Sequence, residues 1–254
     1  MLGYQQIGTG TTGVIIMNDW LSDTSTWESA RLYLDLDNFA WVFADLPGYG
    51  KSRDLTGPGT AQACAAEIIA LADHLTFEKF VIIGHSMSTI VALHLAQSAP
   101  HRLLRVVLLC PVPPTSLEVN SSIVPMLEAV ATGPDEVRTQ AVQQTTGGRL
   151  CEGWVRFKVN RWRATSSSDA VLRYIPLFAT DGVPNPSATT PVPVLAVTGE
   201  QDDEVMRSEA VTKIFTPICP NLTVVPIAEC GHYPMQETPP LLATIVTRFL
   251  ASTQ

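Results

Sequence analysis

What most constrains this chain is an alternation along its length. Short, wholly apolar runs rich in β-branched residues are separated by longer stretches with helical spacing. The candidate strands are Val14–Met17, Trp41–Ala44, Phe80–Ile83, Val106–Leu109, Val194–Thr198 and Leu222–Ile227. Several carry no polar alternate residue, as expected of strands buried on both faces. Helices near Trp27–Leu34, Thr60–His74, Met87–Ser98 and Pro240–Ser252 supply the crossovers that a parallel sheet needs. Within Ala61–Leu75, the residues Ala65, Ile68, Ile69, Ala72 and Leu75 share a helical spacing. The pattern predicts an α/β fold built on a mostly parallel sheet.

Between residues 111 and 189 the alternation stops. CPVPP opens this segment and VPNPSATTPVP closes it, and both are too rich in proline to continue a helix or a central strand. Helical stretches at Glu136–Gln144 and Gly153–Ala164 lie inside it. The expectation is a helical cap, inserted between two halves of one sheet domain (1–110 and 190–254) and not independent of it.

Composition narrows the function classes. Of 254 residues, 46% are apolar and 16% charged, which supports a sizeable core and not a disordered chain. The net charge of −8 argues against a nucleic-acid footprint, which depends on basic surface. No apolar run approaches the roughly 20 residues that cross a bilayer, and the first residues lack the pattern of a secretory signal. The five cysteines are scattered and form no CxxC pair, so neither a disulfide framework nor a metal site is expected. These features predict a cytoplasmic location, no membrane partner, no nucleic-acid partner and no cofactor.

Two motifs mislead. GTGTTG (Gly8, Gly10, Gly13) fits the dinucleotide-binding pattern letter for letter, but that pattern must follow a strand and open a helix. Here it precedes VIIM, so a turn between two early strands is the better reading. GYGKS resembles the end of a phosphate-binding loop, yet the glycine required five positions before Gly50 is Asp45.

The chemistry concentrates in Phe80-Val-Ile-Ile-Gly84-His85-Ser86-Met87-Ser88, which leads into an apolar helical run. A strand, a tight turn and a helix present one serine at the apex, where the helix N-terminus favours a developing oxyanion. Small residues at Gly84 and Ser88 let such a turn pack. A serine is a weak nucleophile without a base. Among the five histidines, His85 lies in the turn, His94 within the following helix, and His74 and His101 near helix ends. His232 instead sits in AECGHYPMQETPP, after the last strand and before the C-terminal helix, where α/β active sites collect residues. A carboxylate must orient the imidazole. The loop after Val194–Thr198 offers Asp202, Asp203 and Glu204, whereas the strand ending at Leu109 has no carboxylate before Glu118.

The order serine, acid, histidine and the motifs IIMNDWLSDTSTW, DLPGYGKS, IGHSMS and GHYPMQETP resemble the α/β-hydrolase superfamily, in its group with a helical cap after the sixth strand. The resemblance spans most of the chain except the cap. The family's G-x-x-D pattern matches Gly199-Glu-Gln-Asp202 and thereby implies Asp202, not Asp203, as the acid. It implies oxyanion donors at the backbone N–H groups of Met87 and Trp20, the latter after Asn18-Asp19 where the family carries His-Gly. Aspartate tolerates the unusual backbone angle that glycine provides there, and its carboxylate is expected to face away from the oxyanion. Only LGYQQI precedes the first turn, where relatives commonly carry two strands, so the sheet is expected to lack its first strand.

The cap has seven basic and seven acidic residues, but Arg149–Arg173 holds six basic residues against Glu152 and Asp169. Val155, Val159 and Trp162 share one helix face, with Trp154 and Phe157 beside it. One reading is a core-facing stripe with solvated arginines opposite. The other is an aromatic pocket lined by Asn18, Trp154 and Trp162, with Arg161 near a substrate carboxylate. The expected activity is cofactor-free hydrolysis of an ester, or a related acyl bond, of a small and mostly apolar substrate by Ser86, Asp202 and His232. The alternatives are a C–C bond hydrolase, a lyase or a cofactor-free oxygenase on the same triad, or a non-catalytic ligand-binding relative.

Overall fold

The computed structural model describes residues 1–115 and 123–252. Seven strands form one sheet: β1 (Tyr4–Ile7), β2 (Thr12–Met17), β3 (Phe39–Ala44), β4 (Phe80–His85), β5 (Leu103–Leu109), β6 (Val194–Gly199) and β7 (Leu222–Ile227). Their spatial order is β1-β3-β2-β4-β5-β6-β7. β1 runs antiparallel to β3, with Tyr4 opposite Ala44 and Ile7 opposite Trp41, and all other neighbours are parallel. Every residue of β3, β4 and β6 is buried, which accounts for their lack of polar alternation. β7 lies at an edge, where Pro226 is tolerated because no neighbour requires its missing N–H.

β1 is the leading strand of the sheet and lies at its edge. Its sequence, YQQI, has no apolar signature, because the side chains of Gln5 and Gln6 are exposed at an edge. The turn at Gly8 joins β1 to β2, but these strands do not pair, since both bond to β3.

Helices α1 (Glu28–Arg31), α2 (Ala61–His74) and α3 (Ser88–Ser98) connect the first strands. The helix expected over Trp27–Leu34 is replaced by a 3-10 turn at Thr24–Trp27 followed by the single turn α1. Leu32 and Tyr33 beyond it are exposed, so no apolar face prolongs it. In α2, Thr60 accepts a hydrogen bond from the Ala63 N–H and caps the start. Ala65, Ile68 and Ala72 are buried together with Cys64 and Leu71. Helices α4 (Ile123–Thr132), α5 (Asp135–Thr145), α6 (Glu152–Thr165) and α7 (Ser168–Arg173) form an insertion between β5 and β6. Glu118 lies outside the described residues. Helices α8 (Ser208–Phe215), α9 (Pro234–Glu237) and α10 (Pro239–Ala251) complete the chain.

The insertion is tied to the loops at the carboxyl ends of the strands. The Ser167 N–H donates to Gly48 O at 3.0 Å, Trp20 Nε1 donates to Val171 O at 2.7 Å, and the His232 N–H donates to Thr145 O at 2.9 Å. It therefore covers the crevice between β2 and β4, where the connections diverge to opposite sides of the sheet. Ligands of open α/β sheets bind at such switch points. Among the described residues, no helix is long and apolar enough to cross a membrane.

Candidate active site

Ser86 stands between β4 and α3 with φ +54°, a left-handed angle that costs a non-glycine residue energy and must be held by its surroundings. Three bonds hold it. The Ser86 N–H donates to Leu109 O at 3.0 Å, and the Thr89 N–H and hydroxyl both donate to Ser86 O. Ser88 does more than fit. Its Oγ accepts from the His85 N–H at 2.9 Å and lies 3.1 Å from His85 O as a donor, which closes the turn. Gly84 is required by proximity, since a Cβ there would lie 2.6 Å from Ser88 O and 2.8 Å from Thr89 Cα. Gly84→Ala is accordingly expected to cost about 2–4 kcal/mol through overpacking against backbone. Urea unfolding should show a lower midpoint, and an unchanged midpoint would contradict this packing.

Asp202 and His232 come from loops after β6 and β7. His232 Nδ1 lies 2.6 Å from Asp202 Oδ2, and both residues are buried. Gly199 permits this approach, because a Cβ on it would lie 2.1 Å from Gly231 O. The second Asp202 oxygen accepts from the Asp203 N–H at 2.7 Å. The His232 main chain is clamped by groups that were not apparent in the sequence. Glu237 accepts from the N–H groups of Gly231 and Tyr233, both at 2.9 Å, and His85 Nε2 donates to His232 O at 2.7 Å. Burial disfavours the imidazolium of His232, but the Asp202 charge and hydrogen bond outweigh it and raise the His232 pKa above its ordinary 6.5. Among the described residues, no hydrogen bond within 3.5 Å joins the Ser86 hydroxyl to His232. Contacts of this kind often tighten only with substrate present.

The loop after β2 is braced peptide by peptide. Asn18 Nδ2 donates to Asp19 O at 2.7 Å, and Asn18 Oδ1 accepts from the Leu46 N–H at 2.8 Å. Because a trans peptide directs its N–H opposite its C=O, anchoring Asp19 O also fixes the direction of the Trp20 N–H. The Tyr49 hydroxyl donates to Trp20 O at 2.6 Å and fixes the next peptide. Neither the Trp20 nor the Met87 amide donates a hydrogen bond among the described residues, as a pair of oxyanion donors requires. The Asp19 carboxylate was expected to face away from the oxyanion, yet it stands on the lining of the cavity that Ser86 shares. It is buried, accepts from the Ser22 N–H at 2.7 Å, and forms part of the cavity wall, because Ser22 draws the side chain inward.

A cavity of about 300 Å³ brings Ser86 and His232 onto one wall. Trp20, Val130, Trp162 and Phe178 supply much of its apolar lining. Of the residues expected in the pocket, Trp162 lines it and three do not. Asn18 is used as the loop brace. Trp154 packs against Tyr233 with ring centroids 5.8 Å apart. Arg161 is drawn to Asp23 Oδ1 at 3.4 Å and Arg163 pairs with Asp135, so neither is placed to receive a substrate carboxylate. Phe157 is 46% exposed. GYGKS wraps Asp45, which accepts from the Lys51 and Thr24 N–H groups and fills the space where a phosphate loop would be open.

His85 is sealed in the protein. Burial, opposed by Asp19, pushes its pKa down to about 3, so the ring is neutral. The unfolded chain takes up a proton on this ring below about pH 6.5, whereas the folded chain does not until near 3. His85 therefore contributes stability near neutrality that is lost as the pH falls through that window. The raised pKa of His232 acts in the opposite sense, contributing stability that is lost as the pH rises through its folded value. Thermal melts between about pH 7 and pH 4 should show a falling Tm, and His85→Gln should flatten that slope. A slope identical in the variant would remove His85 as its cause.

This geometry is that of an α/β hydrolase, and comparison with known proteins agrees. The profile of the alpha/beta hydrolase family matches residues 14–245, and the chain belongs to that family. It is 24% identical over 234 residues to the dihydrolipoyllysine-residue acetyltransferase component of an acetoin cleaving system from Pseudomonas putida, covering 91% of this chain and 61% of that one. It is 30% identical over 106 residues to a pimeloyl-[acyl-carrier protein] methyl ester esterase from Pectobacterium atrosepticum, covering 42% of this chain and 39% of the esterase. The chain thus spans less than two thirds of the length of these relatives. The fold is shared with a bromoperoxidase from Bacillus anthracis (TM-score 0.86, 17% identity, 98% of this chain and 95% of that one). It is also shared with an esterase from Thermogutta terrifontis (TM-score 0.79, 24% identity, 98% and 92%).

Proposed function

We propose that this protein hydrolyses a carboxylic ester, or a related acyl bond, of a small and mostly apolar substrate through an acyl-enzyme on Ser86. The observation that carries this reading is the 2.6 Å bond between His232 and Asp202 on a cavity that Ser86 also lines. Asp202 accepts a hydrogen bond from His232 Nδ1–H, which fixes the tautomer with Nε2 unprotonated to take the Ser86 proton during attack on the carbonyl. The Trp20 and Met87 N–H groups receive the oxyanion. His232 then protonates the leaving alcohol and activates the water that releases the acid. The cavity is at the small end of the ~300–1,000 Å³ usual for ligand pockets and mainly apolar, which favours short acyl groups. The esterase relatives support the bond type.

Two measurements test this together: turnover of 4-nitrophenyl esters of increasing acyl length, and labelling by a fluorophosphonate with the modified residue located by mass spectrometry. The expected result is a preference for short chains and a single adduct on Ser86. Failure of Ser86 to label would remove the activated serine and with it the acyl-enzyme. A second reading rests on Asp19 in the cavity wall. With a carboxylate beside the oxyanion position, His232 would act as a base toward a substrate C–H or O–H without an acyl-enzyme. Product formation that survives Ser86→Ala would favour it.

A further inference from the structure

We infer that the site selects esters bearing a protonated amine next to the scissile carbonyl, with Asp19 as the ammonium receptor. This rests on the ester-hydrolase reading above and names the substrate class for it. Asp19 is 2% exposed and belongs to the cavity wall, yet only one of its carboxylate oxygens is satisfied. Oδ1 accepts from the Ser22 N–H at 2.7 Å and from the Ser22 hydroxyl at 3.1 Å. Among the described residues, no hydrogen bond reaches Oδ2. The neighbouring nitrogen, His85 Nδ1, is 3.9 Å away. It has no proton to give, because Nε2 must hold the proton of this neutral ring in order to donate to the His232 carbonyl. Oδ2 is therefore free to accept from a donor that occupies the cavity.

Charge decides which kind of donor. The charged lining residues described are acidic, Asp19 and Asp203, with no lysine or arginine among them. Asp203 Oδ1 is already used, accepting from the Val205 N–H at 3.2 Å. Lys158 lies outside the lining, its Nζ 3.8 Å from the centroid of the Tyr233 ring; its charge and that of Asp19 attract each other, but it makes no hydrogen bond to Asp19 and leaves Oδ2 free. Trp20 and Phe178, packed together with ring centroids 5.2 Å apart, add aromatic lining beside it. Asp19 directly precedes Trp20, whose N–H receives the carbonyl oxygen in the proposed mechanism. With Asp19, Trp20 and Ser86 on the lining of one cavity, we place a substituent on the acyl α-carbon against the Asp19 carboxylate. An ammonium there meets Oδ2, whereas a carboxylate there is repelled.

The test uses methyl esters that differ only in that substituent: alanine methyl ester (ammonium), methyl 2-methylpropanoate (methyl) and monomethyl methylmalonate (carboxylate). In a pH-stat near neutrality, kcat/KM for the ammonium ester should exceed that of the methyl ester at least about tenfold and that of the carboxylate ester further still. Asp19→Asn, which retains the acceptor for Ser22, should lower the ammonium-to-methyl ratio at least about tenfold, towards the ratio of the two esters' uncatalysed hydrolysis. Equal rates for the three esters, a preference for the carboxylate, or a ratio unchanged in Asp19→Asn would overturn the inference. A binding readout needs neither turnover nor the variant. Trp20 and Trp162 line the cavity, so tryptophan fluorescence of the wild-type protein titrated with butan-2-amine, butan-2-ol and 2-methylbutanoate should show the amine binding most tightly. Preferential amine binding without hydrolysis of any ester would sink the esterase reading and leave the receptor role of Asp19 standing. Ester hydrolysis with no amine preference in either assay would do the reverse.

Discussion

Replacing Ser86 by alanine should lower kcat for a preferred ester by about 10⁴–10⁶-fold while leaving the fold intact, because the nucleophile and its covalent intermediate are lost together. The substitution removes one oxygen. The bonds that hold the turn in its left-handed angle run through the Ser86 N–H and C=O, not through its side chain. Residual catalysis from the Trp20 and Met87 amides should remain above the uncatalysed rate by a factor of roughly 10³. The variant should also fail to react with a fluorophosphonate and should show no burst of nitrophenol. Stopped-flow measurement under single-turnover conditions separates these outcomes from a simple binding defect. Turnover within a few-fold of wild type would exclude the acyl-enzyme.

Asp202→Asn should be almost as severe, at about 10⁴-fold in kcat, for a different reason. The asparagine amide can donate to His232 Nδ1, which stabilises the tautomer carrying its proton on Nε2, the atom that must act as base. The pH profile gives an independent readout. In the wild-type protein, kcat/KM should fall on an acid limb lying above pH 6.5, because Asp202 stabilises the inactive imidazolium against the opposing effect of burial. Removing that charge should move the limb to lower pH even as the plateau drops. A profile with an unmoved limb would mean that Asp202 does not set the titration of His232.

Much of the sheet was legible in the sequence because strands buried on both faces have no polar side to present, as β3, β4 and β6 illustrate. β1 was not legible as an apolar run. It is held by main-chain pairing to β3 while Gln5 and Gln6 face solvent, and main-chain pairing leaves no residue signature. The candidate site divides in the same way. Ser86, Asp202 and His232 stand out because each follows a strand at the carboxyl edge, a position that can be counted along the chain. Glu237, His85 and Lys158 do not stand out. Glu237 acts through the N–H groups of Gly231 and Tyr233, and His85 through the carbonyl of a residue 147 positions later. Lys158 reaches Tyr233 from the inserted helices.

The arginines of α6 show the limit of charge counting. A local excess of positive charge suggested an anion-binding lid. Packing gave Arg161 to Asp23 and Arg163 to Asp135, and it left the cavity with acidic charged residues instead. Side-chain charge is a property of the residue, but the direction in which it acts depends on what lies within a few ångströms.

The sequence alone determined the α/β architecture, the position of the helical insertion and the strand ends from which chemistry could be done, because periodicity and glycine placement are local properties of the chain. Only the tertiary structure decided which groups meet at those ends. It turned the Asp19 carboxylate into the cavity wall, gave Asn18 to the Asp19 carbonyl and sealed a neutral His85 behind both. Each of these outcomes depends on distances between residues far apart in the chain, and such distances exist only once the sheet and its insertion have packed.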